Sequence, residues 1–375
     1  MVLTHASYYQ GASHIADNKP VQDRAAALDI SYGDGQHATA LLLSDGHGND
    51  IHFRSDVGAA LAIEAAAEAL PYILEVLPSR MNGKSASRGI VDSACLVDTD
   101  RTPADPECES AMRMFFTRIN ALWAKKVLGH WNSNPQPDQA PNLSGVARAY
   151  GCTLIGAVRA DGFWFAFQLG DGACTCITTE SDILSPIPGD SRCAMSRTTS
   201  MCIHGAGDFR YSYGTDIPPA MMICSDGLAD CFENHDELAS KILAQIVLDN
   251  SANGFDSVEA DITRSMPELS RQFTGDDMSI ALWIDTEATE AILPSLDRLI
   301  TKNCESELSQ AILNLQSCEE SIVDIEDRIS SLSPTQADEA GEIERKLSVL
   351  STLKRHQREL LDRIDSIKLN LDNRL

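Results

Sequence analysis

The 375-residue sequence predicts an α+β fold with a separate helical end. Three observations point there. Short apolar runs at 152–159 and 163–168 are joined by Ala160-Asp161-Gly162, a hairpin signal. Strands in hairpins are followed by pairs of helices, which argues against a βαβ repeat. Near residue 290 the aromatic residues stop and apolar residues recur at helical spacing.

Taken in order, 37–44 reads as a strand ending in Leu41-Leu42-Leu43. Residues 56–70 are Ala-rich, a helix suited to packing on a flat surface. Residues 78–110 carry Pro, Gly, Ser and Asp with weak periodicity and read as a long loop or insertion. Phe115, Ile119, Trp123 and Val127 give a helix at 111–128 an apolar face. A polar loop at 131–145 precedes the hairpin, and 173–178 adds a third strand. Residues 185–215 read as irregular; 220–224 and 278–284 are short buried strands with helices between.

Beyond 290, Leu308, Ala311, Leu315, Cys318, Ile322, Ile325, Ile329 and Leu332 alternate three and four apart, an a/d seam. Ser333-Pro334-Thr335 breaks it. Ile343, Leu347, Leu350, Leu361, Ile364 and Leu371 form a second seam, interrupted by Lys354, Gln357 and Lys368. Two helices of about 35 residues, folded back as an antiparallel coiled-coil-like hairpin, are expected. The domains expected are therefore 1–288 and 289–375.

Thirty Lys+Arg against 55 Asp+Glu give a net charge of −25. Nucleic-acid phosphate and anionic membrane surfaces are repelled by such a field, so neither is an expected partner. No run of 18 apolar residues is read as a membrane span. The start, Met1-Val2-Leu3-Thr4-His5, lacks a secretory pattern. Eleven cysteines, an odd number without a CxxC pair, suit reduced thiols in a cytoplasmic protein.

Five acidic motifs share one design, an Asp at or just beyond a strand end and usually beside Gly. They are Gln22-Asp23, Asp45-Gly46-His47-Gly48, Gly170-Asp171-Gly172, Asp226-Gly227-Leu228-Ala229-Asp230 and Asp276-Asp277-Met278-Ser279. A lone Asp-Gly is usually a turn, as at Asp161-Gly162. Five such positions, most after buried strands, gather carboxylates that repel unless a cation neutralises them. Mg²⁺ and Mn²⁺ want carboxylates, a carbonyl and water.

Together with Gly151-Cys152-Thr153, these motifs occur in the order of the type 2C metal-dependent serine/threonine protein phosphatases, which residues 5–286 resemble. Gly11-Ala12-Ser13-His14 and Gln22-Asp23 resemble the bacterial branch. The resemblance implies a four-layer α-β-β-α sandwich of two antiparallel sheets with two or three Mn²⁺ or Mg²⁺ ions at one edge. It implies that Asp45 bridges two metals, with the Gly46 carbonyl on one of them. It places Asp226 and Asp276 on the first metal, Asp171 and Asp230 on a third, and Asp23 on the attacking water. His47 matches a general acid for the leaving alkoxide. Two cations acidify water for in-line attack, so no protein nucleophile is needed.

The resemblance further implies a phosphorylated protein substrate and a serine/threonine kinase acting upstream. One departure stands out. Asn18 occupies the position where the family commonly carries an arginine for the substrate phosphate. His14, Lys19 and Arg24 are substitutes to consider, with Arg192 and Arg197 from the irregular segment. The missing arginine keeps two alternatives open, a catalytically weak phosphoprotein-binding scaffold and a small-phosphoester phosphatase. The hairpin lies outside the resemblance. It closes on itself and on the catalytic domain, or serves dimerisation or partner docking.

Overall fold

A computed structural model describes residues 1–81, 86–90, 105–140, 142–193, 197–232, 238, 242–332 and 337–372. They form two compact units, Met1–Leu293 and Pro294–Leu375.

The first unit holds eleven strands among the described residues. They are β1 (Val2–Tyr9), β2 (Arg24–Tyr32), β3 (Gln36–Ser44), β4 (Ala86–Ile90), β5 (Leu154–Ala160), β6 (Phe163–Leu169), β7 (Ala173–Ile177), β8 (Ile183–Leu184), β9 (Arg210–Gly214), β10 (Ala220–Cys224) and β11 (Met278–Asp285). One sheet runs β1-β11-β10-β7-β8 and the other β2-β3-β5-β6-β9-β4, with antiparallel pairing throughout. The expected sandwich of two antiparallel sheets flanked by helices is the observed fold.

Side-chain alternation explains the layering. Along β6, Phe163, Phe165, Phe167 and Leu169 face the helical layer, while Trp164 and Ala166 face the other sheet. Leu41 and Leu43 of β3 join Trp164, Met221, Ile223, Ala281 and Trp283 between the sheets, and Leu42 points the opposite way. Strands buried on both faces read as the continuous apolar runs seen in the sequence. The outer layer on the six-stranded sheet consists of α2 (Ser55–Met81) and α3 (Pro106–Ser133). The small side chains Ala59, Ala62, Ala65, Ala66 and Ala69 let α2 approach closely. Helix Phe255–Gln272 covers the five-stranded sheet, burying Val258, Ile262 and Met266.

Several boundaries differ from expectation. Helix α2 continues beyond residue 70 through Pro71 and Pro78. Burial of Leu70, Ile73, Leu74 and Leu77 outweighs the hydrogen bonds each proline removes. Helix α3 starts at Pro106 because Asp105 caps it, accepting from the Glu107 N–H at 2.9 Å. The irregular 185–215 segment contains β9. The long loop expected at 78–110 contains the end of α2, β4 and the start of α3; residues 82–85 and 91–104 lie outside the described residues. By length and composition α2 is apolar enough to cross a membrane, which the sequence reading had not flagged. It is packed as a core helix of the sandwich. The ten described cysteines are free thiols, five of them on strands or within the core of the sandwich; Cys95 lies outside the described residues.

The second unit is a pair of helices, Leu293–Ser330 and Ala337–Asp372, paired antiparallel. Ala311 packs with Ile364 and Ile367, and Cys318 and Ile322 pack with Leu360. The first seam matches expectation over Leu308–Ile322. The second is shifted by one position: Leu353, Leu360 and Ile367 face inward, while Leu347 and Leu361 are exposed. Lys354 and Lys368 therefore do not interrupt it, and Lys354 pairs with Glu326 at 2.6 Å. Gln357 does fall on the seam and donates to Glu319 at 3.1 Å.

Candidate metal centre

Antiparallel pairing puts the end of β3, the β6–β7 turn, the end of β10 and the start of β11 at one edge of the sandwich. Asp45 follows β3. Asp171 sits in the turn between β6 and β7. Asp226 opens the short helix α5 (Asp226–Ala229) just after β10, and Asp276 and Asp277 precede β11. One carboxylate oxygen from each of Asp45, Asp171 and Asp226 lies within 4.8 Å of the others. Gly170 has φ 125°, a conformation that an L side chain resists, and this allows the turn that presents Asp171. A Cβ on Gly227 would overlap the Asp277 carbonyl, so only glycine lets α5 approach β11.

The Gly151-Cys152-Thr153 segment holds the Asp45 loop. Thr153 N–H donates to the Asp45 carbonyl at 2.8 Å, and Asp45 N–H donates to Thr153 Oγ1 at 3.0 Å. Ser44 Oγ donates to the Thr153 carbonyl at 2.5 Å, and His47 N–H to the Gly151 carbonyl at 3.1 Å. Asp45 and His47 make these ladder bonds on either side of the Gly46–Cys152 bridge, so the Gly46 carbonyl is not consumed by the pairing.

Burial and mutual repulsion push the carboxylates toward their protonated forms. Asp45 is held well above the usual range, first by burial, then by Asp226 and Asp23. Burial, reinforced by Asp171, pushes Asp226 up to about 6. Burial also raises Asp23 to about 7, against bonds from Ser279 (2.7 Å) and Ser225 that favour its charge. Asp171 is raised by burial, and its Oδ1 has no hydrogen-bond donor. A buried acceptor without a donor, facing two other carboxylates, fits a hard divalent cation such as Mn²⁺ or Mg²⁺.

A family model described as protein phosphatase 2C matches residues 10–261. The chain belongs to the protein phosphatase 2C family. The family is one of protein serine/threonine phosphatases, and the acidic edge lies on the matched residues. Similar solved structures include the S. agalactiae serine/threonine phosphatase, at 12% identity over 76% of this chain and 99% of that one, TM-score 0.45. Staphylococcus aureus Stp1 matches at 12% identity over 76% and 95%, TM-score 0.43. The catalytic domain of PstP, solved with two manganese ions, matches at 13% over 76% and 97%, TM-score 0.41. No curated protein matches the chain.

In this phosphatase 2C chain the remaining candidates are spread around the cluster. Asp276 is exposed and accepts from the Asp277 N–H at 2.8 Å. Its charge raises Asp45 and Asp226. Asp230 is exposed at the end of α5, and its charge raises Asp171 and Asp226. His47 is largely withdrawn from solvent; burial, then His52 and His204, pushes it down to about 4.

Of the substrate candidates, His14 is buried, with Nδ1 2.8 Å from Asp277 and Nε2 3.6 Å from Asp276. Lys19 Nζ lies 3.4 Å from the Gly48 carbonyl. Arg24 donates to the carbonyls of Val21 (3.0 Å) and Asp23 (2.7 Å) and lies over the Tyr8 ring. Arg192 is engaged by Asp190, at 2.7 Å, and by Asp208. Arg197 is exposed.

Several positioning residues had no assigned role in the sequence. Asp277, 2% exposed, accepts from Gly11 N–H at 2.6 Å and Gln22 N–H at 2.5 Å besides His14. Gln168 and Arg210, both buried, donate to the carbonyls of the Asp171 turn: Arg210 to Gly170, Gln168 to Gly170 and Gly172. Only Asp277 carried a signal, the Asp-Asp pair itself.

The raised carboxylates make stability depend on pH. Asp23 and Asp226, at about 7 and about 6 when folded, ionise near 4 when unfolded. Their contribution is fully present below about pH 4 and is lost as pH rises through 6 to 7. Calorimetry in chelator is expected to show the melting midpoint falling between about pH 4.5 and 7.5. Added Mn²⁺ should raise the midpoint more at pH 7.5 than at pH 5, because it binds the ionised form. An Mn²⁺ effect independent of pH would contradict this electrostatic account.

Proposed function

We propose that the enzyme hydrolyses phosphoserine and phosphothreonine in proteins, using divalent manganese or magnesium held at the acidic edge. The observation that carries this reading is the Asp45–Asp171–Asp226 cluster, with Asp171 Oδ1 facing it without a donor. Asp45, the Gly46 carbonyl, Asp226 and Asp276 are assigned to two ions, and Asp171 with Asp230 to a third. When bound, these ions supply Lewis acidity toward the phosphoryl oxygens and the attacking water.

The chain's own residues supply orientation and proton transfer. Asp23 is nearly sealed from solvent and fixed by Ser279, so its carboxylate accepts a hydrogen bond from one direction only. That suits it to orient the attacking water. His47 is the assigned proton donor to the departing seryl or threonyl oxygen, a poor leaving group without protonation. In the free protein, burial keeps the ring neutral above about pH 4. An arriving phosphate dianion favours its protonation in the complex. Catalysis is assigned to residues 1–288, with 289–375 as an appendage. A phosphoprotein substrate implies a serine/threonine kinase upstream.

The test is hydrolysis of a phosphothreonine peptide and of p-nitrophenyl phosphate, each with Mn²⁺ and with chelator. Metal-dependent turnover of both is expected. No metal-dependent turnover of either would refute the enzyme reading, and turnover of p-nitrophenyl phosphate alone would assign a small-phosphoester substrate instead.

A further inference from the structure

We propose that Ser200 is a positioning residue for His47, fixing the imidazole as its Nε2–H tautomer and leaving Nδ1 to exchange the proton with substrate. This rests on the reading of His47 as proton donor. Ser200 Oγ lies 2.7 Å from His47 Nε2. The serine is 2% exposed and tied into its surroundings: its N–H donates to His204 Nδ1 at 2.9 Å, and the next N–H, of Met201, donates to the Cys152 carbonyl at 2.9 Å.

Ser200 Oγ is also 3.2 Å from the Cys152 carbonyl, 3.2 Å from Cys202 Sγ and 3.5 Å from the Cys202 N–H. A hydroxyl has one proton and two lone pairs. The Cys152 carbonyl can only accept and the Cys202 N–H can only donate. The hydroxyl proton therefore goes to Cys152, and a lone pair faces His47, which requires a proton on Nε2. The thiol of Cys202 is a weak partner in either role. His47 is thus held at both ends by one segment, its N–H by the Gly151 carbonyl and its ring, through Ser200, by the Cys152 carbonyl.

The consequence is directional. As the P–O bond breaks, its electron pair goes to the seryl or threonyl oxygen. The Nδ1–H bond of the imidazolium breaks, and that proton forms the new O–H bond. The ring returns to the neutral Nε2–H form with its bond to Ser200 unchanged, so no proton need move on that side.

The experiment compares kcat for a phosphothreonine peptide and for p-nitrophenyl phosphate, with saturating Mn²⁺, in the full-length wild type, Ser200→Ala and His47→Gln. p-Nitrophenolate departs without protonation, whereas a threonine alkoxide does not. Ser200→Ala is expected to slow the peptide about tenfold more than p-nitrophenyl phosphate, in the same sense as His47→Gln. Equal slowing of both substrates by Ser200→Ala, with His47→Gln still discriminating, overturns the Ser200 proposal and leaves the acid reading standing. No discrimination by His47→Gln overturns the acid reading and this proposal with it. Nitrogen NMR of the wild-type His47 ring without metal is a second readout that needs no variant to fold. A protonated Nε2 with a bare Nδ1 is expected, and a bare Nε2 overturns the proposal.

Discussion

Asp45→Asn is expected to lower kcat/KM for a phosphothreonine peptide by more than about 100-fold while making the metal-free protein more stable. The two effects have one cause. Asp45 is buried against Asp226 and Asp23, and its carboxyl is driven well above the ordinary range. A neutral amide of nearly the same shape removes that repulsion, so the melting midpoint in chelator should rise at neutral pH. The same change removes a ligand from the cluster. Loss of an outer-shell partner alone typically costs 10–100-fold in metal affinity or activity, so loss of a ligand should cost more. The stabilisation by Mn²⁺ seen in the wild type should shrink accordingly. A variant that loses both activity and metal-free stability would indicate a folding role for Asp45 instead.

Asp277→Asn should do the reverse, lowering metal-free stability by about 3–5 kcal/mol, the usual cost of breaking a buried charged pair. Burial opposes ionisation of Asp277, but His14 and the N–H groups of Gly11 and Gln22 outweigh it and hold the carboxyl below its usual range. The bond to Asp277 raises His14 in turn. An asparagine has only one acceptor oxygen, so its NH₂ would face one of these donors. The loss should be visible in urea unfolding of the full chain in chelator. The His14 share of the stabilisation is present below that residue's ordinary pKa and fades as pH rises through its raised one. The destabilisation should therefore be smaller at pH 8.5 than at pH 5.5. A change under about 0.5 kcal/mol at both pH values would contradict the assignment of Asp277 as the tie between the amino-terminal segment and the acidic edge.

What was legible in the sequence was whatever is written locally. The apolar strands β3, β6 and β10 announce themselves because both faces are buried, and the aspartates at their ends follow from the same rows of residues. Strand β2 was not anticipated: its residues are mostly half-exposed, with Asp29 and Ser31 among them, so it lacks an apolar run. Helix α2 was cut short at residue 70 because a proline is a local stop signal, whereas the packing that overrides it is tertiary. In the second hairpin helix, adjacent Leu360 and Leu361 both fit a loose seam, and only the partner helix selects Leu360. Asp277 and Ser200 take their roles from partners far along the chain: Gly11 lies 266 positions from Asp277, and His47 lies 153 from Ser200. No spacing rule carries such information.

Diffraction from crystals grown with Mn²⁺, recorded at the manganese absorption edge, would locate the metal directly. Anomalous peaks are expected among the carboxylates of Asp45, Asp171 and Asp226, with the Asp171 Oδ1 that now lacks a donor within bonding distance of a metal or of its water. Manganese absent from that edge, or bound only elsewhere on this acidic surface, would contradict the assignment of the cluster as the catalytic metal centre.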